Sequence, residues 1–109
     1  MAFIVSLDRK INRISIPYTI FKEIDISEGS NIEITLEYGK IYIRNFDTHS
    51  DISQRPFVGI VRRVSSYRLS IPIEYLKLLH KDNESVRQFK LSVITSGNDK
   101  KIELTPWYQ

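Results

Sequence analysis

Two arginines open a five-residue stretch that occurs twice, Arg13-Ile14-Ser15-Ile16-Pro17 and, 55 residues later, Arg68-Leu69-Ser70-Ile71-Pro72. Each copy alternates a charged or hydroxyl side chain with an aliphatic one and then stops at proline, the pattern of a short half-buried strand. An arginine guanidinium is a planar donor fork that grips a phosphate or a guanine edge through two hydrogen bonds. The charge distribution is compatible with that chemistry. Residues 1–54 carry six Lys/Arg against eight Asp/Glu, a net of −2, whereas residues 55–109 carry ten against five, a net of +5. A basic half on a small domain suits an anionic partner. The competing reading is a solvated surface that is simply basic.

Other chemistries find little support. The 109 residues include no cysteine, which excludes disulfides and thiolate metal sites and fits a reducing cytosol. His49 and His80 have no acids or histidines around them at ligand spacing, so no metal is expected. Ser15 and Ser70 have no histidine repeated beside them, and no glycine-rich phosphate loop is present. An enzyme is therefore the least supported class, and no cofactor is expected. The apolar start Met1–Leu7 meets Asp8 at once, and no run approaches the length of a membrane span. A soluble, cytoplasmic protein is expected.

The elements that must position the arginines follow from periodicity. Phe3, Val5 and Leu7 alternate with Ile4, Ser6 and Asp8 as a first strand, and residues 8–12 turn the chain into a second at Arg13–Ile16. Pro17 opens a helix with Thr19 as its expected cap and Ile20, Phe21 and Ile24 as its apolar stripe, broken at Ser27–Ser30. Ile32, Ile34 and Leu36 face the core of a third strand, with Glu33, Thr35 and Glu37 on the opposite face. Tyr38-Gly39 is a hairpin turn into a fourth strand, Lys40–Arg44, with Ile41 and Ile43 inward. Residues 46–56 read as a linker rich in turn formers.

The order then repeats. Strands are expected at Phe57–Arg63 and Arg68–Ile71, a helix at Pro72–Leu79 with Tyr75, Leu76 and Leu79 on one side, and a strand through Phe89, Leu91 and Val93. A turn at Ser96–Asp99 and a last strand at Lys101–Leu104 close the unit. A β-β-α-β-β unit of about 45 residues is too small to bury a good core alone. Two units, 1–45 and 57–109, could share one core, giving a mainly β (α+β) domain with pseudo-twofold symmetry. Ile16 and Ile71 should then lie buried at matching places.

These residues carry a family resemblance. Gly59-Ile60-Val61-Arg62-Arg63-Val64 followed by Arg68-Leu69-Ser70-Ile71-Pro72-Ile73-Glu74 closely resembles the DNA-binding module of the prokaryotic AbrB-type transition-state regulators, and Val5 through Ile43 is a looser match. The resemblance implies a swapped-hairpin barrel, here built from tandem units in one chain as in the MraZ regulators, although no aspartate followed by arginine stands at the spacing usual in MraZ. It implies a transcription regulator that contacts duplex DNA, as a nucleoid-associated protein, mainly through arginines of the second unit. Arg62, Arg63 and Arg68 match basic positions of the family. In the first unit Leu7 and Asp8 take the places of Arg62 and Arg63, with Arg9 and Lys10 two residues on, and Arg13 matches Arg68. The alternative for Arg13 and Arg68 is pairing with acids such as Glu23 or Glu74. Lys22 and Lys77 occupy equivalent helical positions from which each could reach a phosphate, or simply remain solvated.

The family commonly places a glycine before the strand's arginine, where this chain has Asn12 and Tyr67. Asparagine tolerates positive φ and tyrosine resists it, so the second turn is expected to differ. The six tyrosines have the spacing of strand and turn packing rather than of base stacking. A second function class is a protein-binding module, antitoxin-like or inhibitory, using the same barrel as a platform. Antitoxins of the MazE type add a long tail, whereas here only Thr105–Gln109 follow the last expected strand. Trp107-Tyr108 could anchor such a partner or plug the barrel end. Association of complete barrels into a homo-oligomer is left open.

Overall fold

The computed structural model describes residues 2–8, 10–46, 59–79, 86–97 and 99–107. Alternating apolar residues give eight strands: β1 (Ala2–Asp8), β2 (Arg13–Ser15), β3 (Asn31–Glu37), β4 (Lys40–Asn45), β5 (Ile60–Arg63), β6 (Arg68–Ser70), β7 (Gln88–Ser96) and β8 (Asp99–Trp107). Two short helices follow the two prolines, α1 (Tyr18–Glu23) and α2 (Ile73–Leu79). The protein is mainly β.

Helix α1 starts and stops differently from the sequence reading. Thr19 lies inside it; Pro17 is the N-cap residue and supplies no side-chain cap. The helix ends before Ser27, because Asp25 turns into the left-handed region at φ 60°. There the Asp25 N–H donates to the Lys22 carbonyl at 3.2 Å and the Ile26 N–H to the Phe21 carbonyl at 2.9 Å. Those two bonds are the Schellman arrangement, with an aspartate where glycine is usual and the buried Ile26 as its apolar closing contact.

The strands form one antiparallel sheet in the order β5-β3-β4-β8-β7-β1-β2-β6. Its two end strands are joined by the short turn after Arg63, so the sheet curls into a nearly closed barrel. Strand β1 makes the corner: Ala2–Ser6 pair with β7, and Leu7 and Asp8 pair with β2. The β3–β4 hairpin turns through Tyr38 and Gly39 at φ 53° and 76°, the two positive values that a type I′ turn needs.

The core lies inside this curl. Ile14, Ile16, Phe21, Ile34, Leu69, Ile71, Phe89 and Leu104 all belong to one buried cluster, so the expected burial of Ile16 and Ile71 is met. Two expectations need correction. Glu33 and Thr35, placed on the face opposite the apolar one, are nonetheless buried, at 1% and 4% exposed. The chain entering β5 covers them: the Gly59 N–H donates to Glu33 Oε2 at 3.3 Å, and Gly59 lies against Thr35. The last strand also runs past Leu104 to Trp107, and Trp107 stands opposite Gln88, 42% exposed, rather than plugging the barrel. Residues 47–56 of the expected linker and Phe57 of the expected fifth strand lie outside the described residues.

Because β1 pairs with β7 and β5 with β3 inside one chain, no second copy is needed to complete the described sheet. The unfolding midpoint should therefore stay constant across a hundredfold range of protein concentration. A midpoint that climbs with concentration would mean that strands exchange between chains.

Candidate nucleic-acid interface

The two copies of the repeated stretch meet. Strands β2 and β6 pair antiparallel with Arg13 opposite Ser70, Ile14 opposite Leu69 and Ser15 opposite Arg68. Alternation then separates the side chains. Ile14 and Leu69, 1% and 2% exposed, point into the core. Arg13, Ser15 and Arg68 are exposed on the other face, with Ser70 half-buried beside them. The result is a quartet of two arginines and two serines, each arginine across from a serine.

The ladder continues by one bond at each end. The Ile16 N–H donates to the Tyr67 carbonyl at 3.0 Å and the Ile71 N–H to the Asn12 carbonyl at 2.8 Å. Asn12 and Tyr67, which provide those carbonyls, have φ of 55° and 54°. The expected difference between the two turns is thus overturned at this position: tyrosine adopts the left-handed backbone that asparagine adopts in the other copy. Neighbouring contacts hold it there. Ser65 and Arg68 exchange both backbone bonds, at 3.4 and 3.0 Å, around Ser66 and Tyr67. Glu28 Oε1 accepts the Ser66 N–H at 2.7 Å, and the Tyr67 ring packs on Tyr18 and Phe21.

Neither arginine of the quartet takes the acidic partner offered as an alternative. Arg13 Nε donates to Ser70 Oγ at 3.3 Å. Among the described residues, Arg13, Arg62, Arg63 and Arg68 have no carboxylate partner. Asp8 stands across from Arg13 on β1, on the same exposed face.

The other basic residues are distributed around this ladder. Arg62 and Arg63 are exposed on β5, one of the two end strands of the sheet, Arg68 being on the other. Arg62 stands opposite the fully buried Ile32 yet is itself exposed, since no strand pairs with the outer side of β5. The Arg63 guanidinium passes close over Gly29 in the turn before β3. Lys22 lies over the Tyr18 ring, 5.3 Å from its centroid. Lys10 is exposed in the β1–β2 turn, where its N–H donates to Asp8 Oδ1 at 3.1 Å, and Lys77 is exposed on α2. Arg9 lies outside the described residues. Ser15, Ser70, Tyr18 and Tyr67 were not among the candidate contacts, although the alternation of Arg13-Ile14-Ser15 already places each serine on its arginine's face.

A second polar cluster occupies the outer face of β3, β4 and β8. Tyr42 donates to Glu103 Oε2 at 2.9 Å, with Arg44 and Lys101 at 5.6 and 5.1 Å from its ring centroid. Lys40 pairs with Glu103 and Arg44 with Glu37, both at 3.7 Å. Burial, then the bond to Glu103 and its charge, push the Tyr42 hydroxyl above its ordinary pKa of about 10, and burial does the same for Tyr75, whose hydroxyl donates to the Ile34 carbonyl at 3.1 Å. A raised tyrosine pKa favours the protonated form in the folded chain. Its stabilising contribution is complete below pH 10 and is lost as pH rises through the folded value. Stability should thus fall from about pH 10 upward, and the double change Tyr42→Phe, Tyr75→Phe should make that fall shallower. Parallel pH profiles of the two proteins would remove this account.

Among the described residues no group of three His, Cys, Asp or Glu could hold a metal ion, and no helix is long and apolar enough to cross a membrane. Comparison of the chain with family models, with curated proteins and with solved structures finds no match in any of the three.

Proposed function

We propose that the chain is a duplex-DNA-binding transcription regulator of the AbrB type, acting in the cytoplasm on nucleoid DNA. The observation that carries this reading is the β2–β6 quartet, in which Arg13 and Arg68 stand on one exposed face, neither in an ion pair among the described residues although Asp8 lies across from Arg13 on β1. Two guanidiniums carried by one ladder suit phosphates, and the serine hydroxyls beside them add donors for the same oxygens.

The reading includes a tandem origin for the barrel. Unit 1–45 contributes β1 to the third strand of unit 57–109, and that unit returns β5 to β3, a reciprocal exchange of first strands. The second strands pair with each other, as do the fourth, β4 with β8. A pseudo-twofold axis between Ile14 and Leu69 accounts for all four pairings, and the 55-residue shift between the copies relates Arg13 to Arg68 and Lys22 to Lys77.

The test is binding to a pool of random duplexes across a salt series. Affinity should fall log-linearly with salt, with a slope near −0.9 for each phosphate contacted. No binding at low salt would remove this reading and leave the barrel as a platform for a protein partner.

A further inference from the structure

We infer that Asp8 makes the two ends of the binding face electrostatically unequal, so that the chain lies along a duplex with its Arg68 end toward the more negative flank; this rests on the DNA-binding reading above. The difference is in what stands across from each ladder arginine. On the exposed face Arg13 lies between Asp8 of β1 and Ser70 of β6. Arg68 lies between Ser15 of β2 and Ser65 of the short turn after β5. Each arginine thus has a serine from the other copy, but on its own side Arg13 meets an acid and Arg68 a hydroxyl. The 55-residue shift puts Arg63 at the place of Asp8 in sequence. In space the second turn is shorter, enclosing Ser66 and Tyr67 where the first encloses residues 9–12, and this brings Ser65 across from Arg68. By either measure no acid stands beside Arg68 on the ladder.

The other described charges do not offset this. The helices each carry one exposed lysine and one exposed acid, Lys22 with Glu23 on α1 and Lys77 with Glu74 on α2. Each turn also carries an acid and a cation, Asp8 with Lys10 and Glu28 with Arg63. Glu28 lies off the ladder: its Oε1 accepts the Ser66 N–H at 2.7 Å, and Arg63 passes over the adjacent Gly29. Arg62 adds a further cation on the β5 side. Asp8 lies on the ladder itself, where its Oδ1 accepts the Lys10 N–H at 3.1 Å. Residues directly opposite on one face of an antiparallel pair have Cβ atoms about 5 Å apart. A phosphate approaching Arg13 therefore meets the Asp8 carboxylate, whereas at Arg68 it meets hydroxyl donors on both sides. Exposed charges are screened, so the expected bias between the two orientations is about threefold.

The absence of cysteine permits a direct test. A donor dye is attached through Leu78→Cys, a 73% exposed position on α2. Helix α2 lies toward the Arg13 end, because it begins two residues after Ile71, whose N–H donates to the Asn12 carbonyl. The probe is a duplex of about twelve base pairs, close in length to the chain's longest extent of 38 Å. One half carries phosphates and the other uncharged methylphosphonates, with an acceptor dye at one end or the other. Energy transfer should be stronger to an acceptor at the uncharged end. Asp8→Asn keeps the oxygen that accepts the Lys10 N–H. It should equalise transfer to the two ends and tighten binding to an all-phosphate duplex about threefold at low salt. Adding Ser65→Asp to Asp8→Asn should invert the preference. No preference or the opposite one in the labelled parent, a preference unchanged by Asp8→Asn, or no inversion by the double variant would each overturn the inference while DNA binding stood. Failure to bind any duplex would overturn the inference and the function together.

Discussion

Gly59→Ala is expected to cost about 3 kcal/mol of stability, because the new methyl group would overlap the backbone of β3. A Cβ built on Gly59 lies 2.3 Å from the Ile34 carbonyl oxygen, 2.9 Å from its carbon and 2.5 Å from Thr35 Cγ2. The flexible end of a side chain could give way at such distances, but Ile34 cannot. It sits in a strand paired on both sides, with β4 and β5. Moving Gly59 away instead would stretch its bond to the buried Glu33 carboxylate. For a domain of this size the loss corresponds to a drop of roughly 15 °C in melting temperature. Gly39→Ala is the control. It meets nothing within 4 Å but takes on a strained φ of 76°, at a cost of about 1 kcal/mol. A loss at Gly59 no larger than at Gly39 would show that β5 does not press on β3 this closely.

Gly59 also marks where sequence reading reaches its limit. The strands were legible because each buries one face, and a period of two survives wherever the opposite face meets water. That premise fails on β3, where Glu33 and Thr35 are covered by a segment distant in sequence. Nothing local to Ile32–Leu36 signals such a cover. The early stop of α1 was missed for a related reason: a search for glycine passes over an aspartate that takes the same left-handed position through backbone bonds to Phe21 and Lys22. Tyr67 repeats the lesson, since its φ is held by ring contacts with Tyr18 and Phe21 that sequence proximity does not show. For the candidate site, the repeated arginines and their alternation were readable. Their meeting across one ladder was not, because cross-strand register depends on the whole sheet.

That meeting sets the prediction with the largest expected effect on binding. Arg13→Ala and Arg68→Ala together should weaken duplex binding by about a hundredfold and reduce the magnitude of the salt slope by about two, the signature of two lost phosphate contacts. Folding should be little affected, since both side chains are exposed and Ile14 and Leu69 still fill the core between them. The sequence-based expectation favoured Arg62 and Arg63 of the second unit as the main contacts. Those residues occupy the free edge strand, with Arg62 turned onto the carbonyl of its own neighbour Val61 at 3.3 Å and Arg63 beside the Gly29 turn. Arg13 and Arg68, the latter on the sheet's other end strand, instead stand on one face of a two-stranded ladder with a serine across from each. Two cations on one face can meet neighbouring phosphates together, so their removal should cost at least as much. A large loss from Arg62→Ala with Arg63→Ala, and none from the Arg13 and Arg68 pair, would move the contact surface to the β5 edge. Unchanged affinity in both double variants would remove the arginine face altogether, and a protein partner for the barrel would become the better explanation.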